Sequence, residues 1–146
     1  MTAAPSDGLV RPSLLLADDD AVVRSILSGQ LGNTFDVLAA AADAEEAIEL
    51  AERLRPDAAL IDVNMPGGGG LTAIREIARR SPETCLVVLS ADETRESVVE
   101  LLDAGAMAYV RKGASGAEIV ETLEASIRAH AASRGGLTGA ETPGAR

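Results

Sequence analysis

The sequence has almost no aromatic residues and very little cysteine or histidine. Phe35 and Tyr109 are its two aromatic side chains, tryptophan is absent, and Cys85 and His130 are its one cysteine and one histidine. The core must therefore be aliphatic, and no disulfide can form within the chain. Cys85 lies in an apolar run, where we expect it to pack as a small hydrophobic residue. His130, near the end of the last predicted helix, is expected to be structural, since positive charge suits a helix C-terminus.

Long apolar runs and an excess of positive charge are also missing. No run reaches the roughly 18 apolar residues that a membrane span needs, and the N-terminal segment lacks the basic start and apolar block of a signal peptide. The 13 basic and 23 acidic residues give a net charge of −10, which opposes binding to a phosphate backbone. We expect a cytoplasmic protein with neither a membrane nor a nucleic acid as a direct partner.

The chain does contain five short apolar runs, each followed by a segment whose apolar residues have helical spacing. The runs span residues 13–17, 35–41, 58–61, 84–89 and 106–110. In the second run, Phe35, Val37 and Ala39 alternate as in a strand. Helical crossovers make successive strands parallel and place helices on both faces of the sheet. The pattern predicts one α/β domain of five β-α units over 13–131, between a flexible leader (1–12) and a disordered tail (132–146).

Polar and glycine residues mark where the predicted helices begin and end. Asp20, Asp43 and Ser115 each precede a helical segment as N-caps, and Gly105 follows the fourth helix. The first helix is expected to bury one apolar face. Five residues at helical spacing form that face: Val22, Val23, Ile26, Leu27 and Leu31.

Residues able to act on a phosphoryl group follow four of the five strands. Asp18 and Asp19 follow the first strand, Asp62 the third, Ser90 the fourth and Lys112 the fifth. The carboxyl ends of parallel strands meet at one edge of a sheet, so we expect these side chains to converge. Repulsion among three carboxylates is relieved most simply by a hard divalent cation such as Mg²⁺. One carboxylate can then attack phosphorus, while the lysine supplies charge and the serine a hydroxyl donor.

Each of these residues also has an ordinary structural interpretation. Asp62 could cap a turn, Lys112 could be a surface lysine, and Ser90 could be a helix cap. For Asp20 the ordinary interpretation is preferred, because an acid at a helix N-terminus is favoured by the macrodipole. The glycines at 67–70 match neither phosphate-binding glycine pattern, which excludes a P-loop. The shared position at strand ends is what favours a site.

Over residues 13–131 the sequence resembles the receiver domain of two-component response regulators. Four segments carry the resemblance: LLLADDDAVVR, LIDVNMPG with Gly70-Leu71 following, VVLSAD and GAMAYVRK. The resemblance implies a flavodoxin-like, doubly wound sheet of five parallel strands in the order 2-1-3-4-5. It also implies that Asp62 is the phosphoacceptor, assisted by the hydroxyl of Ser90 and the ammonium group of Lys112.

The resemblance further implies a metal site and a switch. Asp18 and Asp19 correspond to the family's acidic pair, which would bind Mg²⁺ together with Asp62 and the backbone carbonyl of Asn64. Tyr109 corresponds to the family's switch aromatic, although the residue alone would suit a half-buried strand rim in any protein.

Three positions depart from the usual family pattern. Gly113 stands where a proline with a cis bond is common after the lysine, so the family's cis bond is not carried over to this chain and the geometry of the Lys112–Gly113 peptide stays open. Gly69 stands where an aspartate is common, which removes no phosphotransfer group. Ser90 replaces the commoner threonine and keeps the hydroxyl.

Three functions are compatible with these residues. The first is a receiver domain, not a conventional enzyme, which takes a phosphoryl group on Asp62 from a sensor histidine kinase or a histidine phosphotransfer protein. The second is a phosphatase of the haloacid dehalogenase type, because residues 18–22 match the DxDx[TV] pattern with Asp18 as nucleophile. That alternative lacks an acidic pair after Lys112 and gives Asp62 no role. The third is a receiver-like binding module that is not phosphorylated.

The output of the domain is not apparent from the sequence. The chain is either a stand-alone receiver with an unknown output partner, or a fragment whose effector domain is missing. Apolar residues of the fourth helix suit either the core or a homodimer through the fourth helix, fifth strand and fifth helix. These residues are Val98, Val99, Leu101 and Leu102.

Overall fold

The computed structural model describes residues 11–66 and 69–139, which form alternating strands and helices. The strands are β1 (Ser13–Ala17), β2 (Asp36–Ala41), β3 (Ala58–Asp62), β4 (Cys85–Ser90) and β5 (Ala108–Arg111). The helices are α1 (Ala21–Leu31), α2 (Ala44–Leu54), α3 (Gly69–Arg80), α4 (Arg95–Ala104) and α5 (Gly116–Gly139). None of the helices in these two ranges combines the length and the apolar character that crossing a bilayer requires.

The strands form one parallel sheet in the order β2-β1-β3-β4-β5, which confirms the predicted topology. The register places Asp62 of β3 opposite Leu89 of β4, and Ser90 of β4 opposite Arg111 of β5. Since all five strands run in the same direction, their carboxyl ends lie at one edge of the sheet. This edge carries the predicted site.

Alternate residues of the central strands point to opposite faces and form two separate cores. On one face, Leu15 of β1 and Ile61 of β3 pack with residues from α2, α3 and α4. On the other face, Leu16 of β1 and Leu60 of β3 pack with residues from α1 and α5. The fully buried Phe35 belongs to this second core, and the remaining core side chains are mainly aliphatic, as the composition requires.

The predicted caps are confirmed. Asp20 Oδ1 accepts hydrogen bonds from the backbone N–H groups of Val22 and Val23, and the Asp43 side chain caps α2 in the same way. The Ser115 hydroxyl accepts from the N–H of Glu118 at the start of α5. Gly105 ends α4 with φ +130°, in the region that favours glycine.

The apolar face of α1 is narrower than predicted. Leu27 and Leu31 are buried, but Val22 is 65% and Ile26 52% exposed. Val23, Leu27 and Leu31 are spaced four apart and form the stripe that packs on the sheet. Val22 comes one residue before Val23, and Ile26 one residue before Leu27. Both side chains therefore lie about 100° round the helix from the stripe, where no other described element covers them.

The last helix is longer than predicted. α5 continues to Gly139, so residues 132–139 of the expected tail are helical. His130 Nε2 and Arg134 Nη1 donate to the carbonyl of Pro82 at 3.1 and 3.0 Å, and these contacts hold the helix beyond the sheet. Of the predicted leader, Pro12 accepts a hydrogen bond from the N–H of Asp36 at 2.8 Å. The other leader and tail residues, 1–10 and 140–146, lie outside the described residues.

Candidate functional site

Asp62 ends the central strand and is completely buried, with 0% of its surface exposed. Every residue of β3 is buried because β1 and β4 flank it and helices cover both faces of the sheet. The loop that follows turns back on the carboxylate. The N–H of Asn64 donates to Asp62 Oδ1 at 3.2 Å. The strand thus delivers a carboxylate to the edge of the sheet, and the described part of the loop gives its second oxygen, Oδ2, no donor.

The glycines after Asp62 allow the backbone to pass close to the end of β3. The N–H of Gly70 donates to the carbonyl of Val63 at 2.7 Å. A Cβ atom on Gly70 would lie 2.5 Å from Val63 Cα and 2.6 Å from the carbonyl oxygen of Asp62. Gly69 has φ +77°, which also favours glycine. The close approach at Gly70 and the positive φ at Gly69 explain glycine at these two positions without any phosphate-binding role.

The acidic turn after β1 brings two further carboxylates to this edge. The N–H of Asp18 donates to the carbonyl of Ala41, and Asp18 Oδ1 accepts from the N–H of Asp20 at 2.9 Å. Asp18 is 1% exposed, whereas Asp19 is exposed. One carboxylate oxygen from each of Asp18, Asp19 and Asp62 lies within 4.8 Å of the others. Asp20, the last aspartate of the acidic turn, uses its carboxylate to cap α1.

Lys112 supplies the positive charge of the site. Its Nζ lies 3.1 Å from Asp62 Oδ2 and 3.9 Å from Asp18 Oδ2. The short contact with Asp62 is an ion pair by distance, but its direction does not meet the geometry of a hydrogen bond. The backbone N–H of Lys112 donates to the carbonyl of Ser90 at 3.0 Å, which ties β5 to β4. Gly113 follows with φ +95°, and the peptide bonds of the described residues are all trans.

Burial and neighbouring charge shift two pKa values at this site. Burial raises the pKa of Asp62 above its usual value, with a smaller rise from Asp18, and these effects outweigh the lowering by Lys112 and the Asn64 N–H. For Lys112, partial burial acts to lower the pKa, but the carboxylates of Asp62, Asp18 and Asp19 together raise it. The lysine is therefore charged at neutral pH, and negative charge on Asp62 is less favourable than in water.

Two buried oxygens suit a metal ion. Asp18 Oδ2 and Asp62 Oδ2 accept no hydrogen bond from the residues that the structure describes. Buried carboxylate oxygens without donors are costly, and hard cations such as Mg²⁺ prefer oxygen ligands of this kind. With Asp19 beside them, these residues fit a divalent cation.

Ser90 and Tyr109 lie near this edge, but their hydroxyl groups are bound elsewhere. The Ser90 hydroxyl donates to the carbonyl of Asp92 and accepts from its N–H, both at 3.0 Å. It therefore makes no hydrogen bond to Asp62. The Tyr109 hydroxyl donates to Glu93 Oε1 at 3.4 Å, and its half-buried ring packs against the core under α4. The β4–α4 loop thus holds both groups.

Two residues to which the sequence assigned no role contact the predicted site residues: Arg24 contacts Asp18, and Asp92 contacts Ser90. Arg24 Nη1 donates to the carbonyl of Asp18 at 2.8 Å. Asp92 Oδ2 accepts from the Ser97 hydroxyl at 2.7 Å, while its backbone binds Ser90. Arg24 lies within the segment LLLADDDAVVR, so the sequence contained the signal for it. Asp92 is a loop residue whose partner could not be inferred from spacing.

The chain is similar in sequence to known signalling proteins. The family model described as the response regulator receiver domain matches residues 14–124. The transcriptional regulatory protein PdtaR of Mycobacterium tuberculosis is 36% identical over 123 residues, covering 84% of this chain and 60% of that protein. The response regulator GacA of Pseudomonas aeruginosa is 36% identical over 112 residues, covering 75% of this chain and 52% of that protein. The chain thus spans between half and two thirds of these relatives.

Solved structures show the same fold. A two-component response regulator of the LuxR family from Aurantimonas sp. SI85-9A1 superposes with a TM-score of 0.77 at 29% identity, over 82% of this chain and 86% of that chain. The signal receiver domain of the response regulator NarL from Mycobacterium tuberculosis gives a TM-score of 0.79 at 24% identity, over 82% and 98% of the two chains. At that lower identity the similarity concerns the fold alone.

Proposed function

Because the chain belongs to the family of response regulator receiver domains, we propose that it accepts a phosphoryl group on Asp62 from a phosphohistidine of a partner protein. The donor would be a sensor histidine kinase or a histidine phosphotransfer protein. The domain acts as a signalling module and catalyses only its own phosphorylation and dephosphorylation.

The observation that carries this proposal is the environment of Asp62 Oδ2. It is a buried oxygen with no hydrogen-bond donor among the described residues, and Lys112 Nζ lies 3.1 Å from it. A carboxylate that only stabilised a turn would have its oxygens satisfied by backbone N–H groups. Here one oxygen is satisfied by Asn64 and the other faces the lysine cation. That arrangement supports a reactive role for Asp62.

The transfer exchanges one bond to phosphorus for another. A carboxylate oxygen of Asp62 forms a P–O bond while the P–N bond to the donor histidine breaks, and the imidazole nitrogen takes the electron pair. Lys112 would stabilise negative charge on the transferring oxygens as a point charge. The product is an aspartyl phosphate on Asp62.

The carboxylates of Asp18, Asp19 and Asp62 would hold Mg²⁺, with the backbone carbonyl of Asn64 as a further ligand. When bound, the ion offsets the charge of the carboxylates and of the incoming phosphoryl oxygens. Within the chain, burial of Asp18 and Asp62 excludes water from one side of the site.

Phosphorylation would be read out through the β4–α4 loop. The added charge of about −1.5 to −2 on Asp62 would attract the hydroxyl of Ser90. That hydroxyl must then leave its hydrogen bonds to Asp92. Since Tyr109 is bound to Glu93 of the same loop, the rearrangement would shift the conformation of the surface formed by α4 and β5.

We place this action in the cytoplasm, with a protein as output partner. The surface that changes carries two exposed apolar side chains on α4, Val99 and Leu102, at 46% and 43% exposure. A homodimer through α4, β5 and α5 is one use of this surface, and an effector domain or separate effector protein is another. The matched region covers 60% of PdtaR and 52% of GacA, and an effector domain would account for the additional length of those two relatives.

Labelling with acetyl phosphate tests the assignment of Asp62. We expect the wild-type protein to gain one phosphoryl group by intact mass when Mg²⁺ is present, and none when the metal is chelated. Asp62→Ala should gain none. Asp103→Ala, which removes an exposed carboxylate on α4, is the matched control and should label as wild type. Equal labelling of Asp62→Ala would refute the proposal.

A further inference from the structure

Arg24 contacts the acidic turn through its backbone and not through a carboxylate. Its Nη1 donates to the carbonyl of Asp18 at 2.8 Å. Arg24 forms no salt bridge with any other residue in 11–66 and 69–139, although the acidic turn lies beside it. A cation placed to neutralise the aspartates would pair with their side chains. The contact instead fixes the course of the main chain.

The carbonyl that Arg24 binds belongs to the peptide group joining Asp18 to Asp19. Because a peptide group is planar, a hydrogen bond to its carbonyl oxygen restrains the orientation of the whole plane. The N–H of Asp18 is already held by Ala41. Arg24 therefore completes the restraint on the segment from which the two carboxylates project.

The restraint begins in α1 itself. The backbone N–H of Arg24 donates to the carbonyl of Asp20 at 3.0 Å, in the first turn of the helix. The Asp20 side chain caps the same turn. Arg24 thus links the rigid start of α1 to the peptide that precedes Asp19, whose carboxylate is the exposed member of the acidic cluster.

We propose that Arg24 is a positioning residue for divalent-cation binding, acting by holding the Asp18–Asp19 peptide plane through the hydrogen bond to the Asp18 carbonyl. This inference rests on the proposed function, since it concerns the metal site formed by Asp18, Asp19 and Asp62. Groups that orient metal ligands commonly change metal affinity by about 10- to 100-fold when removed.

The sign of the effect separates positioning from simple charge. A guanidinium near the site repels a divalent cation, so loss of its charge alone would tighten Mg²⁺ binding. Loss of the hydrogen bond would loosen the Asp18–Asp19 peptide and weaken binding. The two explanations therefore predict changes in opposite directions for Arg24→Ala.

The experiment is a titration of metal-free protein with Mg²⁺, followed by calorimetry and by the amide NMR signals of residues 18–20. We expect the dissociation constant of Arg24→Ala to rise about tenfold, and that of Arg24→Lys, which keeps the charge and a shorter donor, to rise less. In the metal-free protein, the amide signals of Asp19 and Asp20 should shift in Arg24→Ala. Signals from β4 should not move, which shows that the variant is folded.

Two controls match the variant. Ser25→Ala changes an exposed neighbour on α1, and Arg128→Ala removes an exposed cation on α5; both should bind Mg²⁺ as wild type. Binding by Arg24→Ala that equals or exceeds wild type would overturn the inference. Excess Mg²⁺ should restore acetyl phosphate labelling to Arg24→Ala but not to Asp62→Ala. Labelling of Asp62→Ala would instead refute the proposed function, so the two failures are distinguishable.

Discussion

Lys112 Nζ lies 3.1 Å from Asp62 Oδ2, although Asp62 ends β3 and Lys112 follows β5, and these two strands are not neighbours. β4 lies between β3 and β5, so the lysine side chain crosses the end of β4 to reach the carboxylate. The backbone N–H of Lys112 also binds the carbonyl of Ser90, the last residue of β4. Through Lys112, a change at Asp62 therefore acts directly on the ends of both β4 and β5.

Replacing Asp62 by asparagine is expected to stabilise the metal-free protein. Burial raises the pKa of Asp62 above its ordinary value of 3.8, so the folded protein holds this proton more tightly than the unfolded chain. Above the raised pKa, the charged form of Asp62 therefore lowers the free energy of unfolding. This loss of stability becomes smaller as the pH drops towards 3.8, the ordinary pKa. Urea denaturation with a chelator should show a gain for Asp62→Asn at neutral pH that shrinks in acid. Asp103→Asn is the control, and a less stable Asp62→Asn at neutral pH would contradict the account.

Two glycines should respond to alanine in opposite ways. Gly70→Ala places a Cβ 2.5 Å from Val63 Cα, so the backbone after Asp62 must move. We expect a loss of about 1–3 kcal/mol in the free energy of unfolding. A Cβ on Gly29, within α1, would meet nothing within 4 Å beyond its own turn of helix, and Gly29→Ala should gain about 0.5–1 kcal/mol. Thermal or urea unfolding of both variants measures this, and equal effects would show that the loop is not closely packed.

The thiol of Cys85 is expected to be unreactive in the folded protein. Burial raises its pKa to about 12 from an ordinary 9.0, which lowers the thiolate fraction roughly a thousandfold at mildly alkaline pH. Ellman's reagent should therefore react slowly with native protein and quickly after unfolding in guanidinium. Cys85 is the one cysteine, so the signal has a single source. Rapid reaction of the native protein would show that β4 is more accessible than the structure indicates.

Tyr109 should report phosphorylation by its fluorescence. The chain has one tyrosine and no tryptophan, so the emission comes from this side chain alone. We expect the tyrosine emission to change when Mg²⁺ and acetyl phosphate are added. Tyr109 is hydrogen-bonded to Glu93, which lies in the same loop as Asp92, and the Ser90 hydroxyl must leave its hydrogen bonds to Asp92. Ser90→Ala should still be labelled but show a smaller change. An unchanged spectrum in fully labelled wild-type protein would contradict a switching role for Tyr109.

The parallel direction of the strands and the grouping of the site residues followed from regular features of the sequence, whereas the strand order was implied by the resemblance to receiver domains. Four of the five apolar runs of strand length are followed by a functional residue, which is enough to bring Asp18, Asp62 and Lys112 to one edge once the strands are parallel. Caps such as Asp20 depend only on neighbours in the chain and were predicted correctly.

Features that depend on distant contacts were not predicted. The exposure of Val22 and Ile26 depends on which side of α1 meets the sheet, and spacing alone cannot decide that. In β2, the register shifts opposite Leu14 and Leu15, so Val37 and Ala39 pack on different faces despite their alternation. The engagement of the Ser90 hydroxyl with Asp92 depends on a loop conformation that no periodic pattern encodes.

The central claim is that Asp62 is the residue that becomes phosphorylated. The most direct measurement is to treat labelled protein with borohydride, which reduces an aspartyl phosphate to homoserine, and to locate homoserine by peptide mass spectrometry. The account predicts homoserine at position 62 and aspartate at positions 18 and 19. Homoserine at position 18 would favour the phosphatase alternative, and its absence from position 62 in labelled protein would contradict the account.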